Sequence, residues 1–307
     1  DIILSTYLQR EEGSTADVVV FVQMAFKSSF TELPDVDRNL LGAMDIRIRY
    51  IPKNENESFY RTMLDKFLIL TMTEYERVLF MDGDVMAVGN LDYLFDMSVN
   101  GVLKENLVFA GQSEPCSGGF FMVAPKTDSR ERIMEIMRST EERGAKLPYP
   151  HWDETVGWGY PMDETEYYEL FGGRKKNLWD FYGAFADQGL LFHWVKYEEK
   201  SVSIVYRKTV QSWGADSSTG KVRLEQTYNM SIFDGLSEPH TCWREVMMHK
   251  PCVAPHSDFV HFTGNKKPWL QGPPADLGLV PNQTSPWHFW FAVLKTLSEK
   301  MHLDLDS

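Results

Sequence analysis

No stretch of these 307 residues is apolar for long enough to cross a bilayer, which takes about 20 consecutive residues. Cysteine is scarce. Three residues give neither a framework of paired bridges nor a zinc-type spacing. Cys242 and Cys252 could close a small loop in an oxidising compartment, leaving Cys116 alone, or all three could be buried thiols. Basic charge is in deficit, with 31 Lys and Arg against 44 Asp and Glu, a formal net charge of -13. Such a surface repels nucleic acid and anionic lipid, so no nucleic-acid partner and no membrane contact within these residues is expected. An anionic ligand would need a metal or local basic groups to be held. Internal repeats and low-complexity tracts are also absent, which excludes a solenoid.

What is present is an enzyme-like composition. A 43% hydrophobic fraction over this length can bury a substantial core, as one large domain or two modest ones. Asn-x-Ser/Thr sequons at Asn56, Asn229 and Asn282 suit a secretory lumen, and the cytoplasm is the alternative.

The first half alternates strand-like and helix-like segments. Asp17 to Val22, Ile46 to Ile51 and Arg77 to Met81 read as strands, with helices over Asp37 to Met44 and Arg61 to Met72. In the second helix Met63, Leu64, Phe67, Leu68 and Thr71 would share a face. Leu107 to Gly111 and Phe120 to Ala124 follow as strands, then an amphipathic helix from Ser129 to Arg143. A helix from Asp187 to Val195, a strand from Ser203 to Tyr206 and a last helix introduced by Ser285-Pro286 complete the pattern. Alternation of this kind predicts an open α/β sheet with helices on both faces. The segment 147–182 differs, being dense in aromatics, Pro, Gly and acids, and reads as a structured, lid-like loop.

The most informative stretch is Val78-Leu79-Phe80-Met81-Asp82-Gly83-Asp84. Two carboxylates one residue apart, at the carboxyl end of a buried strand, can hold a hard divalent cation against a diphosphate. Asp35-Val-Asp37 and Asp304-Leu-Asp306 have the same spacing but follow no apolar strand. A second cluster, His261-Phe262-Thr263-Gly264-Asn265-Lys266-Lys267-Pro268-Trp269, follows the strand-like Asp258-Phe259-Val260. His261 could complete a metal site begun by the carboxylates, Gly264 would let backbone amides approach a phosphate, and Lys267 supplies a point charge.

Together these motifs resemble glycosyltransferase family 8, the glycogenin-like group. Ser117-Gly118-Gly119-Phe120 stands where the family carries Asn-Ser-Gly, with Cys116 in place of the asparagine. Ala186-Asp187-Gln188-Gly189 matches its Asp-Gln motif, and Leu64-Asp65-Lys66-Phe67 matches the helix before the metal loop. The resemblance runs from about the first helix to Trp269. It implies a GT-A fold, a Rossmann-like mixed sheet flanked by helices, here lacking the first strand that with its loop binds uracil and ribose. It further implies one domain over 1–307, with a nucleotide-sugar-binding half at 1–125 and an acceptor-side half at 126–307.

The activity implied is transfer of a hexose from a UDP-sugar, with retention and with manganese, to a glycan, protein or small acceptor. By motif, Asp82, Asp84 and His261 would be the metal ligands, and Asp82 would also lie near the ribose or donor sugar. Lys66, Gly264 and Lys267 would contact the diphosphate. Asp187 and Gln188 would line the reaction centre, with Ser117 and Gly118 beside them. The partners implied are a UDP-sugar donor and a carbohydrate or glycosylated acceptor, and a homodimer is open to it. The implied compartment is the Golgi lumen. Aromatic residues of the lid-like segment, among them Trp152, Trp158, Tyr160, Tyr167, Tyr168 and Trp179, could offer flat faces to a sugar or simply pack the lid onto the body. Two other readings stand beside this one. One is a glycosyltransferase-like binding or scaffold domain. The other is a haloacid-dehalogenase-like phosphatase, in which the first Asp of the Asp-x-Asp would attack phosphorus.

Overall fold

The computed structural model describes residues 1–25, 27–52, 63–87, 90–110, 115–143, 152–162, 178–181, 183–206, 231–232, 259–262, 267–272 and 286–301. The three sequons, Cys242, Cys252, Gly264, Tyr167 and Tyr168 lie outside them.

The chain opens in helix α1 (Ile2–Glu11) and enters strand β1 (Val18–Gln23). Helix α2 (Asp35–Ala43) leads to β2 (Ile46–Ile51), which pairs with β1 in parallel, Val18 opposite Ile46 through Gln23 opposite Ile51. β-Branched residues fill β1, and β2 alternates apolar residues with Arg47 and Arg49, so the pleat turns its arginines outward. The next helix, α3 (Asp65–Thr71), winds as a 3₁₀ helix. With three residues per turn its buried side chains are Phe67, Ile69 and Leu70, not the 3.6-period face through Leu68 and Thr71.

Strand β3 (Val78–Met81) then begins a five-stranded sheet. Its other members are β5 (Asn106–Ala110), β6 (Phe120–Val123), β7 (Val202–Tyr206) and β8 (Ser231–Ile232), in the order β3-β6-β5-β7-β8. β5 and β7 are parallel, and the other pairings are antiparallel. A separate pair forms from β4 (Val85–Ala87) and β9 (Phe259–His261), antiparallel, with Val85 opposite His261. Helices α4 (Asp92–Val99), α5 (Ser129–Glu142), α6 (Asp187–His193), α7 (Pro268–Gln271) and α8 (Pro286–Met301) surround the sheets, and α6 continues as a π-helical turn through Glu198. The architecture is the mixed α/β arrangement that the alternation predicts.

The core forms three bodies. Phe121 and Val123 pack with α3 and α6 on one face of the main sheet, and Phe120 and Met122 pack with Leu94 and Met97 of α4 on the other. All four residues of β6 are buried, as suits a strand covered on both faces. A third cluster joins Leu4 and Tyr7 of α1 to Phe262 and to Trp290, Phe291 and Leu297 of α8. Each such side chain contributes roughly 1.5–3 kcal/mol on burial. The last helix is thereby fastened to the first, and both brace the β4–β9 corner.

The strands β1 and β3 do not pair with each other among the described residues. A cavity of about 320 Å³ separates them, lined by Val18 to Phe21, by Val78 to Met81, by Asp82 and Gly83, and by Ile2, Ser5, Thr6 and Gln9 of α1. The two strands start side by side, because Tyr75 Oη donates to Asp17 Oδ2 at 2.9 Å.

Candidate active site

Asp82-Gly83-Asp84 is the connection between β3, in the main sheet, and β4, in the small one. The Asp82 amide donates to the Gly119 carbonyl at 2.8 Å, which continues the β3–β6 ladder by one residue and brings Gly119 beneath the loop. The Phe262 amide donates to the Asp84 carbonyl at 2.8 Å, so the β4–β9 register holds His261 against the same loop. Sequence-distant motifs thus meet because two sheets share one turn.

Glycine at 119 makes that meeting feasible. A Cβ there would stand 3.2 Å from Asp82 Oδ2 and 3.3 Å from His261 Nε2, so both polar atoms face a cradle that a side chain would fill. His261 Nε2 also lies 3.4 Å from Asp84 Oδ1. Its Nδ1 is buried with no partner among the described residues. The next glycine, Gly118, is tighter still: a Cβ would come within 2.2 Å of Asp187 Oδ2. Gln188 packs over the same place, its amide against Gly183, whose φ of 74° suits glycine.

Lys66 joins these parts. From α3, its Nζ donates to Asp187 Oδ2 at 2.5 Å and to the Gly118 carbonyl at 2.7 Å, and stands 3.4 Å from Asp82. Only 7% of the Lys66 side chain and 2% of the Asp187 side chain are exposed. Burial alone would lower the lysine pKa, but the charges of Asp187 and Asp82 outweigh it and hold the ammonium above its ordinary value. Asp187 Oδ1 is left buried and unpartnered among the described residues. Burial pushes the Asp82 carboxyl up, against the pull of Lys66 and with the repulsion of Asp84 and Asp187 behind it.

Asp84 is treated differently. Burial opposes its charge, yet hydrogen bonds from His261 and Lys267 overcome this and take its pKa down to about 2. Lys267 donates to Asp84 Oδ2 and to the Phe262 carbonyl. As they stand, the described residues hold no group of three His, Cys, Asp or Glu side chains arranged to bind a metal ion. Asp82, Asp84 and His261 are neighbours, but Lys66 and Lys267 supply their countercharge.

The remaining expected residues are placed as follows. Ser117 is buried beneath the loop, its amide donating to the Phe109 carbonyl at 2.8 Å and its Oγ accepting from the Gly119 amide at 3.3 Å. Cys116 is fully buried, and its thiol lies 3.0 Å from the Gln188 carbonyl, so it packs under the site. In the lid-like segment Trp158 and Trp179 are buried, with indole N–H groups donating to the carbonyls of Ala184 and Tyr160, both at 2.7 Å. Those two tryptophans are packing residues. Tyr160 is exposed and stacks on Tyr197 at 5.6 Å. Gly119 carries the contact between loop and histidine, a role whose one trace in the sequence is the doubled glycine after Ser117.

Fold and site define a mixed α/β protein with a half-buried corner of carboxylates, lysines and an imidazole. No protein-family model matches the chain. An alignment 122 positions long, covering 36% of this chain and 17% of the relative, shows 30% identity to UDP-glucuronate:xylan alpha-glucuronosyltransferase 1 of Arabidopsis thaliana. Among solved structures, the glycosyltransferase GlyE of Streptococcus pneumoniae TIGR4 aligns over 98% of this chain and 60% of its own, at 15% identity and a TM-score of 0.41. Mouse xyloside xylosyltransferase 1 in its apo form aligns over 86% of this chain and 92% of its own, at 11% identity and a TM-score of 0.35. The chain therefore spans about a sixth of the plant relative and less than two thirds of GlyE.

Proposed function

We propose that this chain is a glycosyltransferase domain of GT-A type, similar to family 8, that moves a hexose from a UDP-sugar with retention. The observation that carries this reading is the convergence of Lys66, Asp82, Asp84, Gly118, Asp187 and His261 on one corner, from motifs scattered along the chain. The plant relative supports it, being named as a transferase that uses UDP-glucuronate. The domain would divide at about residue 125 into a nucleotide-sugar half and an acceptor half.

Asp82 and His261 face the cradle above Gly119 and Asp84 lies 3.4 Å from His261, so as residue types the three make a manganese donor set, although Lys66 and Lys267 now hold the carboxylates and the described side chains are not arranged around an ion. Asp82, Asp84 and His261 would hold it, and it would supply positive charge to the departing diphosphate. The chain's own groups do the rest. Lys66 fixes Asp187 and Asp82 relative to each other, so their oxygens need no reorganisation when a sugar arrives. Asp187 Oδ1, buried and unpartnered, would accept a hydrogen bond from a donor-sugar hydroxyl, with Gln188 beside it. The glycines at 118 and 119 leave room for Asp187, and for Asp82 and His261, to stand against the backbone. Gly264 and Lys267 would meet the diphosphate. No nucleophile is assigned. The acceptor would be a carbohydrate or glycosylated molecule, and the setting a secretory lumen such as the Golgi.

The test is UDP release from a panel of UDP-sugars, with manganese and with EDTA. Metal-dependent release from one donor is the expected result and would name the sugar. Release from none, by a folded protein, would overturn the reading.

A further inference from the structure

Three tryptophans of the lid-like segment each donate an indole N–H to a backbone carbonyl. Trp152 bonds Trp179 at 3.0 Å and Trp179 bonds Tyr160 at 2.7 Å, so these two bonds close within the segment. The third leaves it. Trp158 bonds the Ala184 carbonyl at 2.7 Å, and Ala184 belongs to the turn that leads into Asp187 and Gln188 at the start of α6. Trp158 and Ala184 are both buried, and no other hydrogen bond reaches that carbonyl among the described residues. A buried carbonyl with a single donor is left unsatisfied when the donor goes. The turn itself is tightly packed. The Gly183 carbonyl accepts from the amides of Ala186 at 2.9 Å and Gly189 at 3.1 Å. A Cβ on Gly189 would stand 1.8 Å from the Ala184 oxygen, so that carbonyl is pressed against the first turn of α6. A Cβ on Gly118 would stand 2.2 Å from Asp187 Oδ2, so Asp187 has a close backbone neighbour here as well. Trp158 has little room to yield, because its ring lies 5.5 Å from that of Trp152 and Gly157 before it abuts the Trp179 ring.

We propose that Trp158 is a positioning residue for the reaction centre: its indole N–H holds the Ala184 carbonyl, and through it the Gly183–Gly189 turn that aims Asp187 and Gln188. This rests on the reading of those two residues as the lining of the reaction centre. Trp158 is buried and acts through the turn, not on a sugar. Without the N–H, the Ala184 carbonyl must turn toward another donor, and the first turn of α6 against which it is pressed must move with it. A small misplacement of positioning groups lowers the rate of reaction far more than it lowers affinity for parts of the ligand bound elsewhere. The lid-like segment and the Asp-Gln motif are in this way one unit, joined by a single hydrogen bond in addition to ring packing.

The experiment replaces Trp158 with benzothienylalanine, whose sulfur fills the place of the N–H but cannot donate. The same replacement at Trp179 is the control, since it deletes an indole bond of equal length inside the lid-like segment. Backbone amide NMR spectra of the deuterated protein read the turn independently of activity. The replacement at 158 should shift the amides of Gly183–Gly189, and the one at 179 should leave them in place. In UDP release, the replacement at 158 should lower kcat about tenfold or more with inhibition by UDP unchanged, and the control should keep the wild-type rate. Amide shifts confined to 152–162, or an unchanged kcat, would refute the positioning role. If the wild type releases UDP from no donor, the reading of the site falls first and the positioning role with it, whatever the amides show. W158F repeats both measurements if the benzothienyl protein does not fold.

Discussion

Lys66 Nζ and Asp187 Oδ2 lie 2.5 Å apart, with 7% and 2% of their side chains exposed, and this pair joins α3 to the start of α6, with Asp82 3.4 Å from the same ammonium. Deep ion pairs stabilise less than their geometry suggests, because each charge gave up its hydration. Removing one member is another matter. K66M should cost about 3–5 kcal/mol by leaving Asp187 as an uncompensated buried charge. The double variant K66M/D187N should cost less than the sum of the single changes, because neither partner is then left charged and alone. Urea unfolding of the four proteins measures this. Additive costs would mean that the pair does not interact.

Gly118 and Gly83 flank the same site, yet they should respond oppositely to a methyl group. At Gly118 a Cβ would sit 2.2 Å from Asp187 Oδ2, so G118A must displace the carboxylate that Lys66 holds, at a cost of about 1–3 kcal/mol. At Gly83, inside the Asp-x-Asp loop, a Cβ meets nothing within 4 Å, so G83A should stay within about 0.5 kcal/mol of the parent. Equal thermal midpoints for the two variants would contradict the packing described here.

The cavity between β1 and β3 predicts uneven amide exchange. Amides of Val78–Met81 and Val18–Gln23 that face the gap lack a strand partner there among the described residues, whereas β6 lies between β3 and β5. By hydrogen exchange, peptides over β1 and β3 should label faster than those over β5 and β6. Equal protection of all four strands would mean that the gap is closed in solution.

Much of this architecture is legible in the residue pattern, for identifiable reasons. β1, β2, β3 and β6 are β-branched or aromatic runs bounded by polar residues, and α5 and α8 carry full 3.6-period stripes. Val85–Ala87 is too short to show a period and becomes a strand only by pairing with β9. In α3 the run from Phe67 to Leu70 is apolar on every side, so periodicity cannot tell an α turn from a 3₁₀ turn. The site is legible as residue types in family order. Which lysine neutralises which carboxylate is not, because that depends on the β4–β9 register and on Gly119 leaving room for His261. The tryptophans of the lid-like segment show the same limit, since composition alone cannot separate a sugar platform from buried indoles bonded to carbonyls.

His193 should give the protein a specific weakness to mild acid. Its side chain is 1% exposed, ringed by Trp179, Tyr160 and Tyr197. Burial, reinforced by the charge of Arg143, lowers its pKa from 6.5 to about 4, and Glu198, 3.5 Å away, does not offset this. Its Nδ1 has no partner among the described residues. The sign follows from proton counting. Between pH 6.5 and 4 the unfolded chain protonates this imidazole and the folded protein does not, so stability falls as pH drops through that window and is flat above it. At about 1.4 kcal/mol per unit, the full loss is about 3 kcal/mol. H193F keeps a ring in the aromatic cluster and removes the titration. Denaturant unfolding from pH 7.5 to 4.5 should show a shallower decline for H193F than for the wild type. Parallel declines would mean that another group carries the acid sensitivity.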